Sequence, residues 1–180
     1  DVPRGDATQA ASRAKVAASP VTPAAPPQKD YLPEREGGLA RAALVKGCAE
    51  VLLPRGEGAS LRILLGKRKV EPQPDWWFVG GRTRPGDTPA EGAARNVKRE
   101  LGLAIETRRF VHVNTYSFVW NYRQQAPSTN GTADASTVFE LPLTQAEADG
   151  LGPSKFDKDE YADAAWVGPL AILEGDYHPA

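Results

Sequence analysis

The chain is 180 residues long, with 41% hydrophobic and 25% charged residues, enough apolar content to bury a core and to exclude a wholly disordered polymer. Its 22 Lys and Arg against 23 Asp and Glu leave a formal net charge of -1, which supplies no global field for nucleic acid or an anionic membrane, so neither is an expected partner. No apolar run reaches the ~20 residues that span a bilayer, and Cys48, the single cysteine, has no partner for an internal disulfide and fits a reducing compartment.

The chain opens at Asp1 and contains no methionine, which implies that something upstream has been removed. With no secretory h-region in view, the expected setting is soluble and intracellular, the cytoplasm or an organelle matrix. Residues 1–37 read as a tail. The run Ala17-Ala18-Ser19-Pro20-Val21-Thr22-Pro23-Ala24-Ala25-Pro26-Pro27 lacks apolar periodicity, and its prolines fix φ and remove donors, so it is expected to be extended. It is read as a flexible linker, or as an arm that wraps a partner and carries the chain into a homodimer or a larger complex. Residues 38–180 are read as one folded domain.

Ala42 to Leu53 holds Leu44, Val45, Val51, Leu52 and Leu53, consistent with one or two strands. Pro54 to Gly58 reads as a turn and Leu61 to Leu65 as a strand, which together predict a hairpin. Trp76 to Val79 is a short aromatic strand. A helix is expected from Pro89 to Leu101: Thr88 is a good N-cap, Pro89 suits N1, Glu91 completes a capping box and Gly102 terminates. Ala93, Val97 and Leu101 recur every fourth residue as its buried stripe, and Glu100 lies at that stripe's edge. Phe110 to Tyr122 and Ser136 to Leu141 read as strands, Thr144 and Glu147 as a short capped turn, Ala162 to Val167 as a last strand, and Leu170 to Glu174 as a last short helix. Many strands around one clear helix predict an α+β domain.

Gly81, Asp87 and the run Arg95-Asn96-Val97-Lys98-Arg99-Glu100-Leu101-Gly102-Leu103 resemble the Nudix box in register and without a gap. Leu64-Leu65-Gly66-Lys67-Arg68 and Trp77-Phe78-Val79-Gly80-Gly81-Arg82 are similar to the GDP-mannose mannosyl hydrolase branch of that superfamily. The resemblance spans about Ala42 to Leu173 and implies a Nudix-type α/β/α sandwich around a mixed sheet. Acids at i, i+3 and i+4 share one helix face and in the family hold Mg²⁺ or Mn²⁺, hard cations that prefer oxygen ligands.

This chain departs from that pattern. At the positions of the three helix carboxylates it has Asn96, Arg99 and Glu100, and the first acidic position is Asp87. The branch resemblance implies a single Mg²⁺, with Mn²⁺ as an alternative, held by Glu100, the Gly81 carbonyl and Glu160. Arg68 and Arg82 would then neutralise a diphosphate leaving group. The branch's loop histidine matches Tyr161, a poor base, so Asp159 is the expected replacement, with Asp157 and Asp163 beside it. Trp77 is a candidate to stack on a base. Arg99 is either a solvated helix residue or a phosphate clamp replacing a metal.

Two readings follow. The first is a Mg²⁺-dependent hydrolase of a nucleoside diphosphate sugar, GDP-mannose-like, or of a related nucleoside diphosphate. The second is a catalytically silent Nudix domain serving as a binding or structural subunit of a larger complex.

Overall fold

A computed structural model describes residues 40, 43–70, 74–121, 123, 126, 127, 129–175 and 177; the Pro- and Ala-rich tail expected over 1–37 lies outside the described residues. Among the described residues the strands are β1 Lys46–Leu52, β2 Pro54–Arg55, β3 Arg62–Arg68, β4 Trp76–Trp77, β5 Val79–Arg82, β6 Val111–Trp120, β7 Thr132–Glu140 and β8 Tyr161–Val167, and the helices from residue 46 onward are α1 Pro89–Leu101, α2 Gln145–Asp149 and α3 Pro169–Glu174.

One sheet has the order β5-β1-β7-β6 and is mixed: β1 runs parallel to β7, while β5 and β6 are antiparallel to their neighbours. The second is built on β3, which pairs antiparallel with β2, β4 and β8. The α+β class and the mixed sheet are as the sequence implied. The hairpin is corrected. The first strand does not fold back on the third; β1 is taken by β7 and β5, and only the two-residue β2 pairs with β3. An apolar run of strand length shows that a strand forms but not which strand it meets.

The helix α1 begins and ends on its own chemistry. Thr88 Oγ1 accepts from the Glu91 amide, Glu91 reciprocates, Pro89 occupies the first turn, and Gly102 closes the helix at φ 72°. Its Ala93, Val97 and Leu101 bury against Ala49, Val51, Val79 and Phe139 in one core, which Leu64, Phe156, Tyr161 and Ala164 continue. Burying a Val or Leu side chain is worth about 1.5–3 kcal/mol, and Leu101→Ala is expected to cost about 2–5 kcal/mol. Close helix-to-sheet approach needs Gly92, where a Cβ would meet Thr83 Cγ2 at 2.6 Å.

Alternation along β1 sends Ala49 and Val51 toward α1 and Cys48 and Glu50 to the opposite face. On α2, Thr144 and Glu147 form the expected capping box. Arg109 reaches across to it, donating from Nη1 and Nη2 to the two Glu147 oxygens at 2.7 and 2.9 Å.

Candidate functional site

Glu50 of β1 lies in register with Gly80 of β5. A Cβ on Gly80 would stand 1.6 Å from Glu50 Oε2, so the missing side chain is the space the carboxyl uses. Glu50 is 5% exposed. The Trp77 side chain hydrogen-bonds it, and since an indole only donates, Glu50 accepts. Its Oε2 has no partner among the described residues. Burial pushes the Glu50 carboxyl up to about 8, against the pull of Arg68, so at neutral pH it is protonated.

The helix α1 presents Asn96, Arg99 and Glu100 beside this turn. Asn96 is fully buried and donates from Nδ2 to the Ala49 carbonyl at 3.2 Å and the Gly81 carbonyl at 2.9 Å. Arg99 donates from Nη2 to the Gly80 carbonyl at 3.2 Å, from Nη1 to Asn96 Oδ1 at 3.3 Å and from Nε to Glu100 Oε1 at 3.0 Å. Its Nη2 also pairs with the same Glu100 oxygen. Burial pushes the Glu100 carboxyl up, against the pull of Arg99. Burial works against the Arg99 charge too, but Glu100, Glu160 and Tyr161 outweigh it and hold the guanidinium protonated.

Asp87 has a different task from the acids on the helix. Its Oδ2 accepts from Arg95 Nε at 3.1 Å, Arg95 Nη2 at 2.8 Å and the Arg84 amide at 3.0 Å. Arg95 also donates to the Arg82 carbonyl at 2.9 Å. This clamp fixes the loop between β5 and α1. Burial raises the Asp87 carboxyl, but the hydrogen bonds from Arg84 and Arg95 outweigh it and set it below its ordinary value.

The remaining expected residues fall as follows. Arg68 ends β3 opposite Tyr161 and is close enough to bear on the Glu50, Glu100 and Tyr161 charges. Arg82 stands opposite Cys48 and bears on its thiol. Glu160 is half-buried and bears on Glu100 and Arg99. Asp159 is on the exposed turn before β8, where its amide donates to Asp157 Oδ1 at 2.8 Å. Tyr161 is buried, and burial pushes its hydroxyl above the usual phenol range. Trp77 is 8% exposed and packs against Phe118 and Trp120 at ring separations of 5.5 and 6.5 Å.

Whether these donors suit a divalent ion turns on Arg99. The Glu100 carboxylate is paired with Arg99, and the Gly81 carbonyl accepts from Asn96. Among the described residues no group of three His, Cys, Asp or Glu is arranged to hold a metal. A like charge ~4 Å from a cation costs several kcal/mol at an effective dielectric of ~20. As arranged, the donors do not fit a divalent ion.

A buried polar face was not legible beforehand. On β7, Thr132, Asp134 and Ser136 alternate with Ala133 and Ala135, and are 6%, 9% and 1% exposed. Their cross-strand neighbours are Trp120, Phe118 and Tyr116 on β6, and Lys46 and Cys48 lie opposite Asp134 and Ser136 on β1. Lys46 Nζ pairs with Asp134 Oδ1 at 2.7 Å, which confirms the shared face. The signal available was a lone Glu50 within Gly47-Cys48-Ala49-Glu50-Val51-Leu52-Leu53 and the period-two polar run of β7.

The family model described as the NUDIX domain matches residues 47–180. Among solved structures, a MutT NUDIX hydrolase from Burkholderia pseudomallei is similar with 19% identity and a TM-score of 0.53, over 69% of this chain and 83% of that one. The NUDIX domain of Shewanella oneidensis NrtR, solved with ADP ribose, is similar with 12% identity and a TM-score of 0.51, over 83% of this chain and 85% of that one. A curated octanoyltransferase from Myxococcus xanthus is 34% identical over 55 residues, 31% of this chain; the match spans 15% of that protein's length.

Proposed function

The chain belongs to the NUDIX domain family, and from that premise we propose that it binds a nucleoside diphosphate derivative through arginine side chains, with Arg99 in place of a metal ion, and does not hydrolyse it. The observation that carries this reading is the Arg99 guanidinium, which joins the Gly80 carbonyl, Asn96 and Glu100.

The charges around the turn support it. Arg68, Arg82 and Arg99 come from β3, β5 and α1. Against them stand Glu100 and Glu160, since burial keeps Glu50 neutral at pH 7. The surplus is cationic and suits a diphosphate. Arginine recognises phosphate oxygens through a planar fork of donors, and each hydrogen bond to a charged group is worth about 1.5–3 kcal/mol. The Shewanella domain was solved with ADP ribose, a ligand of the class carried over here.

Hydrolysis would need a free base and an activated water. Glu100 is paired with Arg99, burial holds the Tyr161 hydroxyl protonated, and Asp159, the base expected from the sequence, stands on the exposed turn before β8. The test is calorimetric titration of ADP and GDP in EDTA, together with turnover on a panel of diphosphates followed by phosphorus NMR. Binding in EDTA without turnover supports the reading; turnover of any of them refutes it.

One observation favours the hydrolase alternative. The Arg99 side chain is 51% exposed, so it has room to swing away and leave Glu100 and Glu160 facing each other. In that case the ligand is a nucleoside diphosphate sugar, GDP-mannose-like, and Mg²⁺ or Mn²⁺ is required. Release of GDP from GDP-mannose only when the ion is added would establish it.

A further inference from the structure

The mixed sheet ends on β6, and β6 is unlike its neighbour. Along β7 buried and half-buried residues alternate, whereas every residue of β6 from Val111 to Ser117 is exposed. Side chains alternate across a sheet, so exposure at successive positions means that both faces of the strand stand clear. No residue of β6 belongs to the core that α1 and β1 share. Val111, Val113, Tyr116 and Val119 all stand exposed on it, Val119 at 75%. Among the described residues β6 pairs with β7 alone, so the N–H and C=O groups along its outer side meet no further strand.

Proteins commonly blunt such an edge with Lys, Pro, a bulge or a covering element. On β6 the register shifts between His112 and Asn114, which interrupts the first part of the strand. Beyond the shift, Asn114-Thr115-Tyr116-Ser117-Phe118-Val119-Trp120 runs one-for-one against β7 and contains no charged residue and no proline. A charged peptide finds nothing to pair with along this stretch, but a second copy does. Antiparallel pairing about a two-fold axis through Ser117 sets Ser117 opposite its own counterpart. Thr115 then meets Val119 of the second copy, and Tyr116 meets Phe118, each pair occurring twice. The paired residues share a face: Thr115, Ser117 and Val119 lie opposite Thr137, Ala135 and Ala133 of β7, and Tyr116 and Phe118 opposite Ser136 and Asp134. Aromatic and β-branched pairs are favourable cross-strand neighbours. Moving the axis to Tyr116 sets Asn114 against Phe118 and keeps one aromatic pair instead of two. A net charge of -1 offers little repulsion between copies.

We propose that β6 is the interface of a homodimer, in which residues 114–120 of two copies pair antiparallel about Ser117 and join the two mixed sheets into one. The contact closes at two copies, because both use the same edge. The paired stretch is about 24 Å long at ~3.4 Å per residue. That strip is too short to bury the ~1,200 Å² of a standard interface, so the dimer is weak and forms on the order of 100 µM. This goes beyond the ligand reading and does not depend on it.

Sedimentation equilibrium of the full chain from about 5 to about 500 µM tests it. The wild-type chain is expected to pass from monomer to dimer across that range and to form nothing larger. Ser117→Lys places like charges across the axis and should weaken association about tenfold or more, and Ser117→Glu should do the same. Mixing the two variants should recover the dimer, because opposite charges then face each other. Ser117 is exposed, so both variants should keep the wild-type Tm. If they do not, Thr115→Lys mixed with Val119→Glu repeats the test at a second pair. Leu173→Lys, at an exposed apolar residue of α3, should leave the dimer unchanged. A wild-type chain that stays monomeric at the highest concentration overturns the proposal. So does a dimer that survives both charges at Ser117, or one that Leu173→Lys dissolves.

Discussion

Asn96 donates its side-chain amide to the Gly81 carbonyl at 2.9 Å and to the Ala49 carbonyl at 3.2 Å, from a fully buried position on α1. A carboxylate there would turn two oxygens toward the Gly81 and Ala49 carbonyls and would need a cation between them. Asparagine meets those carbonyls with hydrogen, and its Oδ1 accepts from Arg99 Nη1 at 3.3 Å, so residues 96 and 99 act as one hydrogen-bonded unit.

The first prediction replaces both. Asn96→Glu with Arg99→Glu should be less stable than wild type in EDTA, because buried acids are left without a counter-charge. Adding Mg²⁺ or Mn²⁺ should raise its Tm by several degrees, as expected when an ion binds the native state alone. The wild-type Tm should move by less than about one degree, within the shift that a few tenths of a kcal/mol produces. Thermal scans with and without the ion check it.

A second prediction concerns Glu50. Its folded carboxyl is pushed up to about 8 from 4.5 by burial. The folded state therefore keeps a proton that the unfolded chain releases, and stability falls as pH rises from 4.5 to 8 and then levels. Glu50→Gln should remove that slope, leaving a Tm close to wild type at pH 4.5 and above it at pH 8. Denaturant melts across that window measure the difference.

Glu147 has the opposite sign. Hydrogen bonds from Arg109 and the Thr144 amide lower its carboxyl from 4.5 to about 2. Its contribution is present above 4.5 and is lost as pH falls toward 2. Glu147→Gln breaks the Arg109 pair and weakens the Thr144 cap, and should lower Tm by about 2–4 °C at pH 7, the shift that about 1 kcal/mol produces in a domain of this size. The gap should close by pH 2.

Cys48 is 5% exposed, and burial, with Asp134 and Glu50 adding, pushes its thiol up to about 12. The thiolate is the reactive form. Iodoacetamide at pH 7.5 should leave the native chain unlabelled and label it fully in 6 M guanidinium, with mass spectrometry as the readout.

What the sequence revealed and what it withheld have physical reasons. The helix from Pro89 to Leu101 was legible to the residue because its cap, stripe and stop are local signals. The α+β class followed from strand counting. The pairing of β1 did not, because its partner β7 lies some eighty residues on and nothing local encodes it. Arg99 was visible as a break in the pattern, but sequence left it between a solvated residue and a clamp; its bonds to Gly80, Asn96 and Glu100 depend on how β5 meets α1. Glu50 and Ser136 were passed over because each belongs to a strand whose other residues account for its burial. Only the cross-strand register shows that they share a face.

The most direct measurement of the central claim is the affinity for GDP by calorimetry, in EDTA and in Mg²⁺, for wild type and Arg99→Ala. Metal-independent recognition predicts wild-type affinities within about twofold of each other under the two conditions. It predicts a loss of about 10-fold or more for Arg99→Ala in both, the magnitude of a lost charge-assisted hydrogen bond. Binding that appears only with Mg²⁺, and that Arg99→Ala strengthens, would contradict it.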